Sequence, residues 1–509
     1  MKKPNPAKDH YRRLRHLSCE TLWFEEVPEF DHAAGSARLD RVAVVRAVGV
    51  VFSESGTPAQ IALAREWLTG LLSDPEEKIR RYAMSALPKL AEGPVGESSL
   101  LGLFETSPSA REKSHVQKTL AKIGGDAALE AANEGRFDPG LVRRLQANVA
   151  RNQSPGTIRL EERIADFVRL QIRFHCREGL EDFLIGEIAD DSKLAARFRV
   201  VDRATGLVIV EPQAALSLSE LYSLRCFSAV GFAPRAPTDS PPGLESIASA
   251  IASLQGILQI LTDGAVRYRL EFPDQGHQRD AANNVADRVY ELAPMLLNDP
   301  RSALWQFNIS GDSGSLEFTP RLRPDPRFAY RKRDVPAASH PPLAASMARL
   351  AGLQPDEVVW DPFVGSGVEL IECGLRGNGI KLIGTDLSPE AIVIARENLI
   401  AAGCRAIPLT LECIDFRDYT RVEGLERGSV SLVITNPPMG RRVPVSDLRE
   451  VIQSLFGAAC AVLRPGGRLV FVNPLPLEPR SLPLKLEFRR KVDLGAFYCH
   501  LEKYVRLAD

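Results

Sequence analysis

From Val358 onward the chain alternates short apolar runs with amphipathic stretches, and the first three runs lead into a carboxylate. Few folds accommodate that pattern. The stretches 358–362, 380–385, 406–411, 430–435 and 467–473 have strand composition, whereas 367–376, 389–402 and 446–463 carry helical spacing. Strands joined by single helices pair in parallel through right-handed crossovers, which gives an open, doubly wound α/β sheet of Rossmann-like type. Ligands of such sheets lie at the carboxyl ends of the strands. The final run, LEFRRKVDLGAFYCHLEKYVRL, reads as two more strands joined at Leu494-Gly495, a closing antiparallel pair.

The turn after the first strand is Asp361-Pro362-Phe363-Val364-Gly365-Ser366-Gly367. It is neither GxGxxG nor a P-loop, because no Gly-Lys-Ser/Thr follows. Gly365 and Gly367 let backbone approach a ligand closely. Asp361 suits a cationic amine and would repel a pyrophosphate, while the helix beginning near Gly367 offers N–H groups to a carboxylate. A zwitterionic amino-acid moiety meets both demands, and S-adenosylmethionine carries one. Asp386, followed by Leu387, ends the second strand, where a carboxylate takes ribose hydroxyls. Asp415 follows the third strand and can accept from an adenine amine, with Phe416 against the ring. The expected cofactor set is therefore Asp361, Pro362, Phe363, Gly365, Ser366, Gly367, Asp386, Leu387, Asp415, Phe416 and Asn436.

The fourth strand runs into Thr-Asn-Pro-Pro-Met-Gly. An amine on an aromatic base is a poor nucleophile, because its lone pair is delocalised into the ring. The Asn436 side-chain oxygen and the Pro437 carbonyl can accept its two N–H bonds and turn the lone pair toward an electrophile. Two prolines stiffen the loop that holds these acceptors, and alignment then supplies much of the rate. Asn436, Pro437, Pro438 and Met439 form the expected catalytic loop. Arg441 and Arg442 follow it, either to meet phosphate beside a flipped nucleotide or as surface charge.

Upstream, residues 1–155 carry helical spacing: Val42, Val45, Val48 and Val51 in one run, then Ile61, Ala64, Trp67, Leu68 and Leu71 in the next. In LLSDPEEKIRRYAMSALPKLA, Asp74 is the expected N-cap and Ile79, Tyr82, Ala83, Ala86 and Leu87 share a face. This unit resembles the second helix of a HEAT repeat, with a weaker echo at 109–124. Such helices stack into a short solenoid: a platform for RNA or a protein partner, or a plain helical domain. Residues 165–320 read as α+β. The expected pieces are a strand at 169–176, a helix at 177–191, a hairpin through RFRVVD and GLVIVEP, a strand at 265–274, a helix through NNVADRVYELA, and a hairpin at 303–321 with a Gly-Asp-Ser-Gly turn. A Pro-rich connector occupies 233–243. The linker 321–345 gathers Arg321, Arg323, Arg327, Arg331, Lys332 and Arg333 around Phe328 and Tyr330, a pattern suited to phosphate pairing and base stacking or else a solvated face. His340-Pro341-Pro342 opens a helix at 343–351, and the catalytic domain is expected over 346–509.

DPFVGSGVELIE, GTDLSPEAI and NPPMGRR together most resemble the THUMP-linked class I enzymes that methylate the N2 amine of guanosine in tRNA or rRNA. The resemblance spans about 320–509 well and 165–320 loosely, where a strand leads into a Gly-Leu-Glu helix. It implies S-adenosylmethionine as cofactor, a structured RNA as partner, and a THUMP-like RNA-binding region before the catalytic domain. Val368 stands where that family usually has Thr, and Met439 where it usually has Tyr or Phe. Adenine N6 in RNA or DNA is the alternative acceptor, and a protein amide or amine a further one. A non-catalytic RNA-binding or assembly factor that kept the fold is the alternative of another class.

The net charge of −1 gives no global basic field. Eight scattered cysteines without a CxxC point to thiols in a reducing compartment, with no metal site and no disulfide framework. The first residues lack the apolar core of a signal peptide, and no run is long enough to span a membrane. A cytoplasmic protein is expected.

Overall fold

The computed structural model describes residues 6–508, apart from 92, 235–242, 274, 275, 277, 311–314, 337, 440–446, 480 and 496. Two compact units emerge: Met1–Thr157 with Ser240–Gly314, and Ile158–Asp239 with Ser315–Asp509. The stretch 165–320, expected as one region, is thus divided between them.

In the first unit the described residues from Pro6 to Gln153 are helical apart from short turns. The helices Ala43–Ser55, Glu77–Ala86, Ala110–Ile123 and Pro139–Gln153 each pack on the next. The predicted apolar stripes face inward: Val45, Val48, Ala64, Leu68, Ile79, Ala83 and Leu87 are fully buried. Asp74 does not cap its helix. The helix starts at Glu77, while Asp74 accepts the Glu76 N–H at 2.8 Å and pairs with Arg38 at 2.6 Å, so its carboxylate is spent on the turn and on a neighbour. Residues 240–314 belong here because the last array helix grips them. Arg151 forks onto Asp299 at 2.8 and 2.9 Å, and Arg143 meets Asp287 at 2.6 Å. Within this segment three parallel strands form, with Val266–Glu271 between Leu296–Asn298 and Trp305–Ser310. The expected Gly-Asp-Ser-Gly turn and most of the Pro-rich connector lie outside the described residues.

The second unit opens with an antiparallel sheet in the order 315–320, 229–234, 170–175, 207–212, 198–204. The expected hairpin of 198–204 with 207–212 is part of it. The larger sheet has seven strands: β1 (Val358–Asp361), β2 (Lys381–Asp386), β3 (Leu409–Cys413), β4 (Val430–Thr435), β5 (Leu463–Asn473), β6 (Leu484–Asp493) and β7 (Tyr498–Arg506). Their order is 3-2-1-4-5-7-6, parallel except where β7 runs against β5 and β6. Helices α1 (Pro341–Ala351), α2 (Val368–Arg376), α3 (Pro389–Ala401) and α4 (Leu448–Val462) join or cover them. Every residue of β4 is buried, as a central parallel strand requires. The strand order reverses between β1 and β4, which opens a crevice at their carboxyl ends.

The two parts of this unit are closely knit. Gly179 (φ +93°) lies so near β6 that a Cβ there would stand 2.3 Å from the Lys491 carbonyl oxygen. The Asp493 N–H donates to the Glu178 carbonyl at 3.0 Å, and Phe183 packs edge-on against Phe488. Arg225 forks onto the fully buried Glu372 of α2 at 2.7 and 2.8 Å, and the Tyr330 hydroxyl donates to the same carboxylate at 2.8 Å.

Candidate active site

The crevice at the strand ends is a cavity of about 960 Å³. Asp361 closes β1 behind the wall formed by Pro362–Ser366; it is fully buried and lies outside the cavity lining itself. Its Oδ1 accepts from the Phe363 N–H at 3.0 Å and from the Thr435 hydroxyl at 2.7 Å, whereas Oδ2 has no partner among the described residues. Burial, reinforced by Glu369, holds its carboxyl well above the usual carboxylate range. Such a group calls for a cation. The turn beyond it bends through Gly365 at φ +50° and Gly367 at φ +83°, both left-handed conformations that glycine adopts without penalty. Gly365 lines the cavity, and its N–H donates to Asp386 Oδ2 at 3.0 Å. Gly367 was expected to face the ligand too, but its role is packing. It lies outside the cavity wall, and a Cβ there would come within 3.3 Å of Ala395 in α3.

Asp386 ends β2 with its Oδ1 accepting from the Ser388 N–H at 2.9 Å, so two backbone donors fix the carboxylate at the rim. Leu387 beside it is 71% exposed. Asp415 accepts from the Arg417 N–H at 2.9 Å, and Phe416 packs against Phe363 with centroids 4.8 Å apart. Pro362, Phe363, Ser366, Asp386, Leu387, Asp415 and Phe416 all line the same cavity. Two of the three strand-end carboxylates, Asp386 and Asp415, thus face the cavity, while Asp361 lies behind its wall.

The opposite wall is the loop after β4. Asn436, Pro437, Pro438 and Met439 all line the cavity, and the Cys499 thiol donates to Met439 Sδ at 3.8 Å. Asn436 Nδ2 donates to Ser339 Oγ at 2.8 Å, while Asn436 Oδ1 is buried without a partner among the described residues. The Ser339 hydroxyl in turn donates to Glu369 Oε1. Glu369 sits in the first turn of α2, and burial raises it to about 6. His340 faces the same space with its Nδ1 unpartnered among the described residues, and burial followed by Arg177 and Arg331 lowers it to about 4. Arg177, Leu494 and Phe497 complete this side.

Ser339, His340, Glu369 and Arg177 escaped sequence reading. His340 had been placed only as a helix opener, and nothing local marks the other three.

The basic linker divides. Arg331 lines the cavity and pairs with Asp334; Lys332 is exposed, and Arg333 meets Glu390 at 3.1 Å and Glu397 at 3.3 Å. Arg323 is exposed. Arg327, expected to contact RNA, is instead structural: only 6% exposed, it donates to the Phe227 carbonyl at 2.8 Å and lies 3.7 Å over the Phe227 ring. Tyr330 is likewise turned inward to Glu372. Arg441 and Arg442 lie outside the described residues. Among the described residues no group of three or more His, Cys, Asp or Glu could hold a metal ion, and no helix is long and apolar enough to cross a membrane.

Residues 329–482 match the UPF0020 family, described as an RMKL-like methyltransferase domain. A tRNA (guanine(6)-N2)-methyltransferase of Thermus thermophilus is 28% identical over 247 residues, covering 46% of this chain and 71% of that protein. A tRNA (guanine(10)-N2)-dimethyltransferase of Methanothermobacter thermautotrophicus is 28% identical over 195 residues, covering 38% of this chain. The chain spans about half that relative's length, 52%. The crystal structure of TrmN from Thermus thermophilus superposes with a TM-score of 0.51 at 23% identity, over 66% of this chain and 100% of that one, which establishes a shared fold. The strand-end acids, the glycine turn and the Asn-Pro-Pro loop therefore stand in a class I methyltransferase domain that uses S-adenosylmethionine.

Proposed function

We propose that this chain transfers a methyl group to the N2 amine of guanosine in a structured RNA, tRNA or rRNA. One observation carries the reading: the Asn436 side-chain oxygen is buried, lacks a partner among the described residues, and sits on a proline-braced cavity wall. A buried acceptor without a donor is costly, and an incoming amine N–H satisfies it. The cofactor fits the other wall. Asp361 Oδ2, behind the cavity wall, is a buried acceptor without a partner among the described residues and would serve an ammonium; the first turn of α2 offers N–H groups to a carboxylate, and Asp386 and Asp415 on the lining would serve ribose and adenine. S-adenosylmethionine, when bound, supplies an electrophilic methyl group on a sulfonium sulfur. Asn436 Oδ1 and the Pro437 carbonyl hold the acceptor amine and favour its pyramidal form. The names of the Thermus and Methanothermobacter relatives, both guanine-N2 enzymes on tRNA, support guanosine over adenine N6. We read 165–320 as a THUMP-like RNA-binding region and the helical array as HEAT-like, a docking face for the same RNA or a protein.

The test incubates the full chain with S-adenosylmethionine and folded tRNA and rRNA transcripts, then identifies methylated nucleosides by mass spectrometry. N2-methylguanosine is expected; N6-methyladenosine alone would overturn the choice of base. Asn436→Ala should lower kcat by about 10²-fold or more, with cofactor affinity unchanged by calorimetry.

A further inference from the structure

We infer that Ser339 and Glu369 are positioning residues that decide which end of the Asn436 amide meets the substrate, an inference that rests on the methyl-transfer reading above. Three segments meet here: Ser339 at the end of the linker, Glu369 on α2, and Asn436 after β4. Ser339 is 8% and Glu369 3% exposed, so little of either side chain is open to water.

The direction of the chain follows from proton counting. An ionised carboxylate only accepts, and a serine hydroxyl has a single proton to give. Ser339 spends that proton on Glu369. Its oxygen can then offer Asn436 only lone pairs, so Asn436 must present its NH2, as it does at 2.8 Å. The amide oxygen is thereby turned to the cavity, where it has no partner among the described residues. The opposite amide orientation would set two acceptors face to face at Ser339 and aim a donor at the donor amine of the substrate.

The relay has a built-in failure mode. The charged groups that act on Glu369 are Glu372 from its own helix and Arg331 from the linker; Glu369 in turn acts on Asp361 at the end of β1, and His340 and Arg177 face the same cavity. The buried Cys373 thiol on α2 senses it as well. Burial among these groups brings Glu369 to about 6. Once protonated, its carboxyl donates to Ser339, the serine proton turns toward Asn436, and the amide rotates to supply its oxygen there. The cavity then faces an NH2 group instead of an acceptor. Turnover falls as pH drops through that range.

The experiment measures kcat of the full chain at saturating S-adenosylmethionine and RNA from pH 5 to 8.5. Wild type should show an acid limb near pH 6. Ser339→Ala should lose about 10²-fold in kcat at pH 8 and lose the acid limb, with cofactor affinity by calorimetry within about twofold. Ser339→Thr, which keeps the hydroxyl, should restore both, and Glu369→Gln, which cannot ionise, should flatten the limb. Wild-type kcat and an intact limb in Ser339→Ala would overturn the inference. Should Ser339→Ala fail to fold, an unaltered limb in Glu369→Gln overturns it equally. Asn436→Ala separates the two levels. An active Asn436→Ala sinks the reading of the site itself, whereas an inactive one beside a normal Ser339→Ala sinks only the relay.

Discussion

Asp361 shows how burial and charge act together on one residue. Its carboxyl is raised by burial and by Glu369, which favours the neutral form. An ammonium binds the ionised form, and the proton must leave first. Cofactor affinity should therefore rise with pH through that raised range and level off above it. Asp361→Asn should flatten the dependence and weaken binding by roughly 10- to 100-fold, the worth of a charged hydrogen bond; calorimetry across pH reads both. The residues legible in the sequence were those that follow a strand end directly, because position along the chain then fixes position in space. Asp361, Asp386, Asp415 and Asn436 are of this kind. Ser339 was not, since its bonds reach 30 positions to Glu369 and 97 to Asn436. Arg327 was misread for a related reason: a basic run looks alike whether its arginines meet solvent or, as here, a buried carbonyl and a phenyl ring.

Among the elements, α2 is held from two sides. Its first turn carries Glu369 into the cavity, and Glu372 one turn on is held by Arg225 and Tyr330. Arg225→Met should destabilise the second unit by about 3–5 kcal/mol, because it strands a buried carboxylate. Adding Glu372→Leu should recover a large part of that loss in chemical denaturation. If the single variant unfolds like wild type, the pair does not anchor the helix. Strand and helix types over 358–506 follow their periodicity, as does the closing hairpin. The third strand departs in its bounds: expected at 406–411, it forms at Leu409–Cys413, because Cys404–Ala406 makes a separate tight turn, set off from the preceding helix by the left-handed Gly403. Apolar spacing does not distinguish the two. The fate of 240–314 was also hidden, since the ion pairs that attach it reach across 144 and 148 positions.

At the scale of the molecule, every described residue of the cavity belongs to the second unit. The first unit is tied together by Arg151 and Arg143. Arg151→Ala leaves the buried Asp299 with the Arg301 N–H at 3.2 Å and the Arg267 guanidinium at 3.6 Å, and should lower the thermal stability of the first unit measurably. Cofactor affinity should stay within about twofold of wild type, because no wall of the cavity depends on that pair. A matching loss of affinity by calorimetry would show that the units are energetically coupled.

The mouth of the cavity is assembled from distant parts of the chain: the Glu178–Tyr498 contact beside it closes across 320 positions. On a ribosome the chain emerges in order, so the glycine turn and the Asn-Pro-Pro loop appear well before Leu494 and Phe497. A nascent chain can therefore build the cofactor half of its pocket early, yet it gains a wall for the acceptor only when β6 and β7 have been released and zipped into the sheet. Loop closure over such a separation is slow, so the acceptor wall is expected to form after the cofactor half.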